Sequence, residues 1–312
     1  MPASRAAFCG LGFPILRLVV IFSLSVGTVL DAALNPYVGK ETGETAMLRQ
    51  LMYALQRGDV LLGDRFFANY WLIALARLLD MDVVFRQHQL CKVDFRKGRR
   101  LGQNDHLITW SKPTRPQWMS REFFASLPAT RTLREVRVHI PKGKKRLREL
   151  VVVTTLLDAG RYRKGELETW YRQRWQAELH LRSLKAVMQM DILRCKTPEM
   201  MRKEIWAHLL MYNLIRIAMA AAAEGNGCQP WQISFKGALQ ALIAFGGFWP
   251  TGQLADPDAY YLDMLQAIAE HRAGHRPDRV EPRAKKRRPK PHPLLTEPRS
   301  QARARLRSGS ES

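Results

Sequence analysis

The stretch YRQRWQAELHLRSLK, at positions 171–185, is the most informative part of this chain. Four of its residues stand at offsets of 0, 3, 7 and 14, namely Tyr171, Arg174, Glu178 and Lys185. In an α-helix these offsets fall within an arc of about 60°, and Arg182 joins the same stripe. One helix face is therefore expected to carry one carboxylate, three cations and a phenol. The carboxylate can bind a divalent metal, and the cations and the phenol can bind phosphate oxygens beside it.

The ordinary alternative for such a face is a solvated helix surface crossed by salt bridges. The spacing Y-x2-R-x3-E-x6-K, however, resembles the signature of insertion-sequence transposases of the DDE type. That resemblance implies that Glu178 is the third metal-binding acid of the family. It also implies that Tyr171, Arg174 and Lys185 hold terminal phosphates of the element. Arg182 lies outside the motif but next to it on the face, and we expect it to contact DNA as well.

A second acidic motif is expected around Asp64, in the stretch VLLGDRFFANYW. Val60 to Leu62 are typical of a short buried strand, so Asp64 lies just past its carboxyl end, where open α/β sheets bind ligands. In isolation, a helix N-cap or turn residue is a fair alternative for this aspartate. The sequence GDRFFANYW, followed by a helix and VVFRQ, is similar to the second acidic motif of the same family. We therefore expect Asp64 to be a catalytic residue and a metal ligand.

Composition favours a polynucleotide partner. Fifty Lys and Arg residues against twenty-eight Asp and Glu give a net charge of +22, with a pI near 10.4. A positive net charge of this size attracts the phosphate backbones of nucleic acids. The segment from Arg272 to Ser312 holds thirteen Lys and Arg, four Asp and Glu and six prolines. This composition predicts a disordered basic tail that adds salt-dependent affinity for DNA.

The amino-terminal region contains an apolar run, Leu18 to Leu30, that resembles the apolar part of a signal peptide. It is too short to span a bilayer as a helix and equally suits a buried strand. GLGFPILRL at Gly10–Leu18 and the segment Leu30–Thr45 resemble consecutive strands of the transposase family, which favours the strand. Four scattered cysteines with no CxxC pair indicate a reducing compartment. We expect a cytoplasmic protein without membrane contact.

The resemblance implies an α/β fold with a ribonuclease-H-like core whose first strand is missing, a β-rich insertion and a C-terminal helical extension. The expected ranges, in chain order, are a first part of the core at 10–86, the insertion at 87–150, the second part of the core with the signature helix at 151–224, a helical section at 225–271 and the basic tail at 272–312.

The implied activity is cleavage and strand transfer at the ends of an insertion sequence. It would use Mg²⁺, with Mn²⁺ as a substitute, on double-stranded DNA, and a homodimer on DNA is expected. One feature departs from the family, because its first acid lies upstream of the GLGFP block. Here nine residues precede Gly10, none of them acidic, and Asp31 is the first acid in the chain but lies in no matching motif.

We therefore expect a truncated chain that is inactive by itself. An alternative is a non-catalytic DNA-binding remnant that interferes with full-length transposase. A third reading, a secreted or membrane-tethered basic protein, rests on the apolar run alone.

Overall fold

The computed structural model describes residues 16–142, 146–247, 256–274 and 299–308. They form two compact units, one comprising Gly43–His180 and the other Met1–Thr42 with Leu181–Ser312. The range 10–86, expected as one continuous part of the core, is thus divided after Thr42. The expected boundaries at 86 and 150 both fall inside the first of these units.

Strands and helices are interspersed up to β8 and only helices follow in the described residues, so the fold is a mixed α/β one. The strands are β1 (Leu16–Phe22), β2 (Val29–Pro36), β3 (Val60–Gly63), β4 (Asp82–Arg86), β5 (Arg99–Gly102), β6 (Asp105–Ser111), β7 (Thr130–Lys142) and β8 (Arg146–Thr154). The helices are α1 (Glu44–Leu51), α2 (Tyr70–Leu78), α3 (Arg121–Ser126), α4 (Lys164–Arg182), α5 (Pro198–Gly225), α6 (Phe235–Gly246), α7 (Pro257–Glu270) and α8 (Arg299–Ser308).

The unit Gly43–His180 is built on a six-stranded mixed sheet in the order β3-β4-β8-β7-β6-β5. Strands β3 and β4 are parallel, and the other neighbours are antiparallel. Side chains alternate between the two faces of a strand, so every second residue faces α4. Val84, Val136 and Val152 form the centre of the core on that face, packed against Leu167 and Tyr171 of α4. The strands expected in the β-rich insertion therefore extend the same sheet that carries β3 and β4.

A buried ion pair ties this sheet to the start of α4. The guanidinium of Arg134, on β7, donates to both carboxylate oxygens of Asp105, on β6, at 2.8 and 2.6 Å. Its remaining nitrogen donates to the carbonyl oxygen of Tyr162 at 2.7 Å, two residues before α4 begins. Arg134 has no solvent exposure, so a low-polarity core surrounds the pair. The contact holds the loop before α4 against β6 and β7 and so positions the start of the helix.

The signature helix, α4, is α-helical from Lys164 to Arg182. Ser183–Val187 then form a π-helical turn. A π turn holds more residues than an α turn, so the rotation of 100° per residue behind the predicted arc does not apply there. Lys185 lies within this π turn, so its place on the face of the motif stays a prediction.

The other unit is centred on α5, whose buried side chains contact the β1–β2 hairpin and helices α6 and α7. Asn213 of α5 accepts a hydrogen bond from the Val29 amide at 2.7 Å and donates to the Val29 carbonyl at 2.9 Å. The apolar run near residue 20 thus forms β1, which pairs with β2. Helix α5 is long and apolar enough to cross a membrane. This is weak evidence, because core helices of soluble proteins meet the same two criteria.

The expected disordered tail differs from the structure in part. Residues 275–298 and 309–312 lie outside the described residues, whereas Arg299–Ser308 form α8. Ala, Arg, Gln and Leu dominate this segment and are good helix formers, which explains a local helix within a basic, proline-containing region.

Arg134→Met is expected to lower the free energy of unfolding by about 3–5 kcal/mol, because it leaves the Asp105 carboxylate buried without a cation. Urea denaturation followed by circular dichroism measures this. Arg137→Met is the control, since Arg137 is partly exposed and 3.8 Å from Glu149, and should cost less than about 1 kcal/mol. The double variant Arg134→Met/Asp105→Leu should recover much of the loss. Equal stability of Arg134→Met and Arg137→Met would contradict the role given to the pair.

Candidate functional site

Asp64 follows the last residue of β3 and shares the strand face of Leu62, which packs on the α4 side of the sheet. One carboxylate oxygen accepts from the amide of Arg65 at 2.7 Å. The N-cap of α2 is Asn69, whose side chain accepts from Leu72 N at 3.0 Å, so Asp64 does not cap that helix. Its carboxylate remains at the carboxyl end of a parallel strand, facing α4.

Tyr171 lies on α4 with its side chain buried against the sheet. Burial raises the pKa of its phenol to about 12, while Arg174 lowers it, Asp64 raises it and Arg86 lowers it. The guanidinium carbon of Arg174 lies 5.9 Å from the centre of the phenol ring, and the electrostatic effects of Asp64 and Arg86 indicate that these two residues are also near it. The phenol therefore stays protonated at neutral pH and can donate a hydrogen bond to an oxygen ligand.

Arg174 and Glu178 form an ion pair one helical turn apart. The guanidinium donates to the carboxylate at 2.7 Å, with side chains 26% and 42% exposed. Burial alone would lower the pKa of Arg174, but the hydrogen bond to Glu178 and the electrostatic effects of Tyr171, Glu178 and Asp64 raise it overall. The salt-bridged face that was the ordinary alternative is thus present, and it involves two residues of the motif.

The structure brings together four of the predicted site residues, Asp64, Tyr171, Arg174 and Glu178, all within the unit Gly43–His180. Arg182 and Lys185 are exposed and belong to the other unit. Within the described ranges, no group of three or more His, Cys, Asp or Glu side chains is placed to hold a metal ion. The cluster offers two carboxylates, of the oxygen type that Mg²⁺ and Mn²⁺ prefer.

Two residues near this cluster were missed by the sequence reasoning. Arg86 ends β4 and acts electrostatically on Tyr171. Trp175 is 57% exposed and stands about 40° from Tyr171 around the helix, on the face of the motif. Both could have been found from the sequence. Strand alternation and a parallel pairing of β3 with β4 place Arg86 beside Asp64, and helical spacing places Trp175 on the face of the motif.

Comparison with known proteins gives consistent matches. Residues 4–214 match the family model described as "Transposase DDE domain". The chain is 32% identical over 220 residues to the transposase InsG for insertion sequence element IS4 of Escherichia coli K12, covering 66% of this chain and 47% of that protein. It is 38% identical over 65 residues to the transposase for insertion sequence element IS421 of Escherichia coli, covering 21% of this chain and 18% of that one. The matched part of this chain thus spans about half the length of InsG and a smaller share of the IS421 transposase.

Among solved structures, the piggyBac transposase synaptic complex with hairpin DNA is similar at a TM-score of 0.42 and 10% identity, covering 81% of this chain and 51% of that one. A score this low carries no weight for the fold.

Tyr171→Phe is expected to remove one phenol that ionises at about pH 12, above the value of about 10 that is usual for tyrosine. The pKa of Tyr171 is higher in the folded state than in the unfolded state. The buried, protonated phenol therefore contributes its full stabilisation below about pH 10, and this stabilisation is lost as the pH rises toward 12. Ultraviolet titration of the tyrosinate band measures the change. Tyr212, whose pKa burial raises to about 12 in the other unit, is the internal reference. An unchanged titration curve at high pH would contradict the burial of Tyr171.

Proposed function

Because the chain belongs to the DDE transposase family, we propose that its function is DNA transposition, by metal-dependent cleavage and strand transfer at the ends of an insertion sequence, and that this chain contributes DNA binding and part of the catalytic site. The observation that carries the proposal is the cluster in which Asp64 acts on Tyr171 and Arg174 while Arg174 binds Glu178. Two acids from separate elements thus both interact with the guanidinium of Arg174, Asp64 through its charge and Glu178 through a hydrogen bond. A ribonuclease-H-like core, cytoplasmic location and a homodimer on double-stranded DNA belong to the same proposal.

Asp64 and Glu178 are the residues that would hold Mg²⁺ or Mn²⁺, because both offer hard carboxylate oxygens. When bound, such an ion polarises a phosphodiester and activates the attacking oxygen. The rest of the work falls to the chain itself. Arg174 can neutralise a phosphate oxygen, and the protonated phenol of Tyr171 can donate a hydrogen bond to it. Arg182 and Lys185, with the basic tail, would supply further phosphate contacts.

The proposal predicts that metal and DNA respond to different variants. Glu178→Gln and Asp64→Asn keep side-chain shape but remove charge, so each should weaken Mn²⁺ binding by at least about tenfold. Isothermal calorimetry with Mn²⁺ measures this. Arg174→Ala should instead weaken binding of duplex DNA in the presence of EDTA without lowering Mn²⁺ affinity, because the guanidinium competes with the ion for Glu178. Glu168→Gln, which breaks the neighbouring Arg172–Glu168 ion pair on the same helix, is the control.

Failure of Asp64→Asn and Glu178→Gln to differ from Glu168→Gln in Mn²⁺ affinity would contradict the metal site.

A non-catalytic DNA-binding protein is the second candidate, and the count of acids favours it. Asp64 and Glu178 supply two carboxylates, and the first acid of the sequence, Asp31, accepts a hydrogen bond from the amide of Ala32 at 2.7 Å. Two-metal displacement stabilises both the attacking and the leaving oxygen. Loss of one such electrostatic element commonly costs about 10²–10³ in rate. We therefore propose that the 312-residue chain alone binds DNA but is inactive in cleavage.

Incubation of the chain with Mg²⁺ or Mn²⁺ and DNA that carries the sequences flanking its gene is expected to give no cleavage above a Glu178→Gln control. Strand breaks are measured on denaturing gels. The same chain should compete with an active transposase of the element for these ends. Robust cleavage that Asp31→Asn abolishes would show that Asp31 supplies the third carboxylate, and the chain would then be an active enzyme.

A further inference from the structure

Arg86 lies at the carboxyl end of β4, beside the candidate site. The parallel register pairs Gly63 with Phe85, so the next residues, Asp64 and Arg86, are neighbours across the two strands. Val84, two residues earlier, is buried in the core that packs on α4. Alternation along the strand therefore directs the Arg86 side chain to the α4 face, where Tyr171 lies. The lowering effect of Arg86 on the pKa of that phenol agrees with this position.

The guanidinium of Arg86 is half-buried, and in the described part of the chain it forms no hydrogen bond or ion pair, not even with Asp64. Nearby arginines differ from it. Arg174 is held by Glu178 at 2.7 Å, and Arg65 donates to the side chain of Gln89 at 2.5 Å. A partly desolvated cation without a partner is costly, and an arriving anion offsets that cost.

We propose that Arg86 is a phosphate-binding residue that receives a backbone phosphate of DNA at the carboxyl ends of β3 and β4. The inference rests on the proposed function and adds a residue to it. The planar fork of an arginine binds two oxygens of one phosphate. The carboxyl edge of parallel strands is where an open α/β sheet places its ligand. A phosphate held there lies between Asp64 and the phenol of Tyr171, next to the residues proposed to hold the metal.

Modification of arginines by phenylglyoxal, mapped by mass spectrometry, tests the contact on the unaltered full chain. The probe is a short blunt-ended DNA duplex in the presence of EDTA. Arg86 is expected to react in the free protein and to be protected at least about fivefold when the duplex saturates it. Arg57 is the internal control, because it lies before the opposite, amino end of β3 and is 85% exposed, 3.5 Å from Asp80. Its reaction should be the same with and without DNA.

Variants give an independent measurement by fluorescence anisotropy with the same duplex. Arg86→Gln should weaken binding about tenfold and reduce the slope of log affinity against log salt by about 1. Arg86→Lys should restore the slope but only part of the affinity, because lysine is a point charge. Arg57→Gln removes the same charge at the opposite edge and should change affinity less than about twofold. Far-ultraviolet circular dichroism checks that each variant is folded.

The possible results distinguish failure of the proposed function from failure of the phosphate-binding role of Arg86. If the chain does not bind the duplex, the proposed function fails and this inference fails with it. If the chain binds but Arg86 reacts equally with and without DNA, the inference alone is overturned. Equal losses in Arg86→Gln and Arg57→Gln would likewise overturn it, because Arg86 would then contribute only general charge.

Discussion

The ion pair between Arg134 and Asp105 is the constraint on which the candidate site depends. A guanidinium with no exposure must satisfy its donors inside the protein, and here two of them bind one carboxylate and a third binds the carbonyl of Tyr162. That geometry joins two strands of the sheet to the loop before α4. Because α4 is a continuous helix, fixing its first turn also fixes the positions of Tyr171, Arg174 and Glu178 along it.

The sequence predicted the parts of the site that periodicity determines. Helical spacing placed Tyr171, Arg174 and Glu178 on one face, and the short apolar run before Asp64 placed that acid at a strand end. Both predictions use local geometry, which is nearly independent of the rest of the chain. The same reasoning could have found Arg86, because a parallel βαβ unit aligns the carboxyl ends of its strands.

Other features depend on contacts that no local pattern reveals. The pairing of Arg174 with Glu178 was one of two outcomes that the same spacing allows. The π turn at Ser183–Val187 contains Lys185, and nothing in the composition of this segment predicts such a turn. The separation of β1 and β2 from the six-stranded sheet follows from where the apolar face of the hairpin packs, on α5 and its neighbours. Burial partners distant in sequence decide such matters.

The ion pair of Arg174 with Glu178 has a thermodynamic consequence for the proposed site. Arg174 binds one oxygen of Glu178, Oε1, so an ion that takes that oxygen would compete with the guanidinium and release it for phosphate. Equally, a phosphate that draws Arg174 away would leave Glu178 unpaired and more attractive to a cation. Linkage requires that the two ligands strengthen one another by the same factor. Without metal and phosphate, Arg174 and Glu178 neutralise one another, so neither side chain stands unpaired on this face of α4.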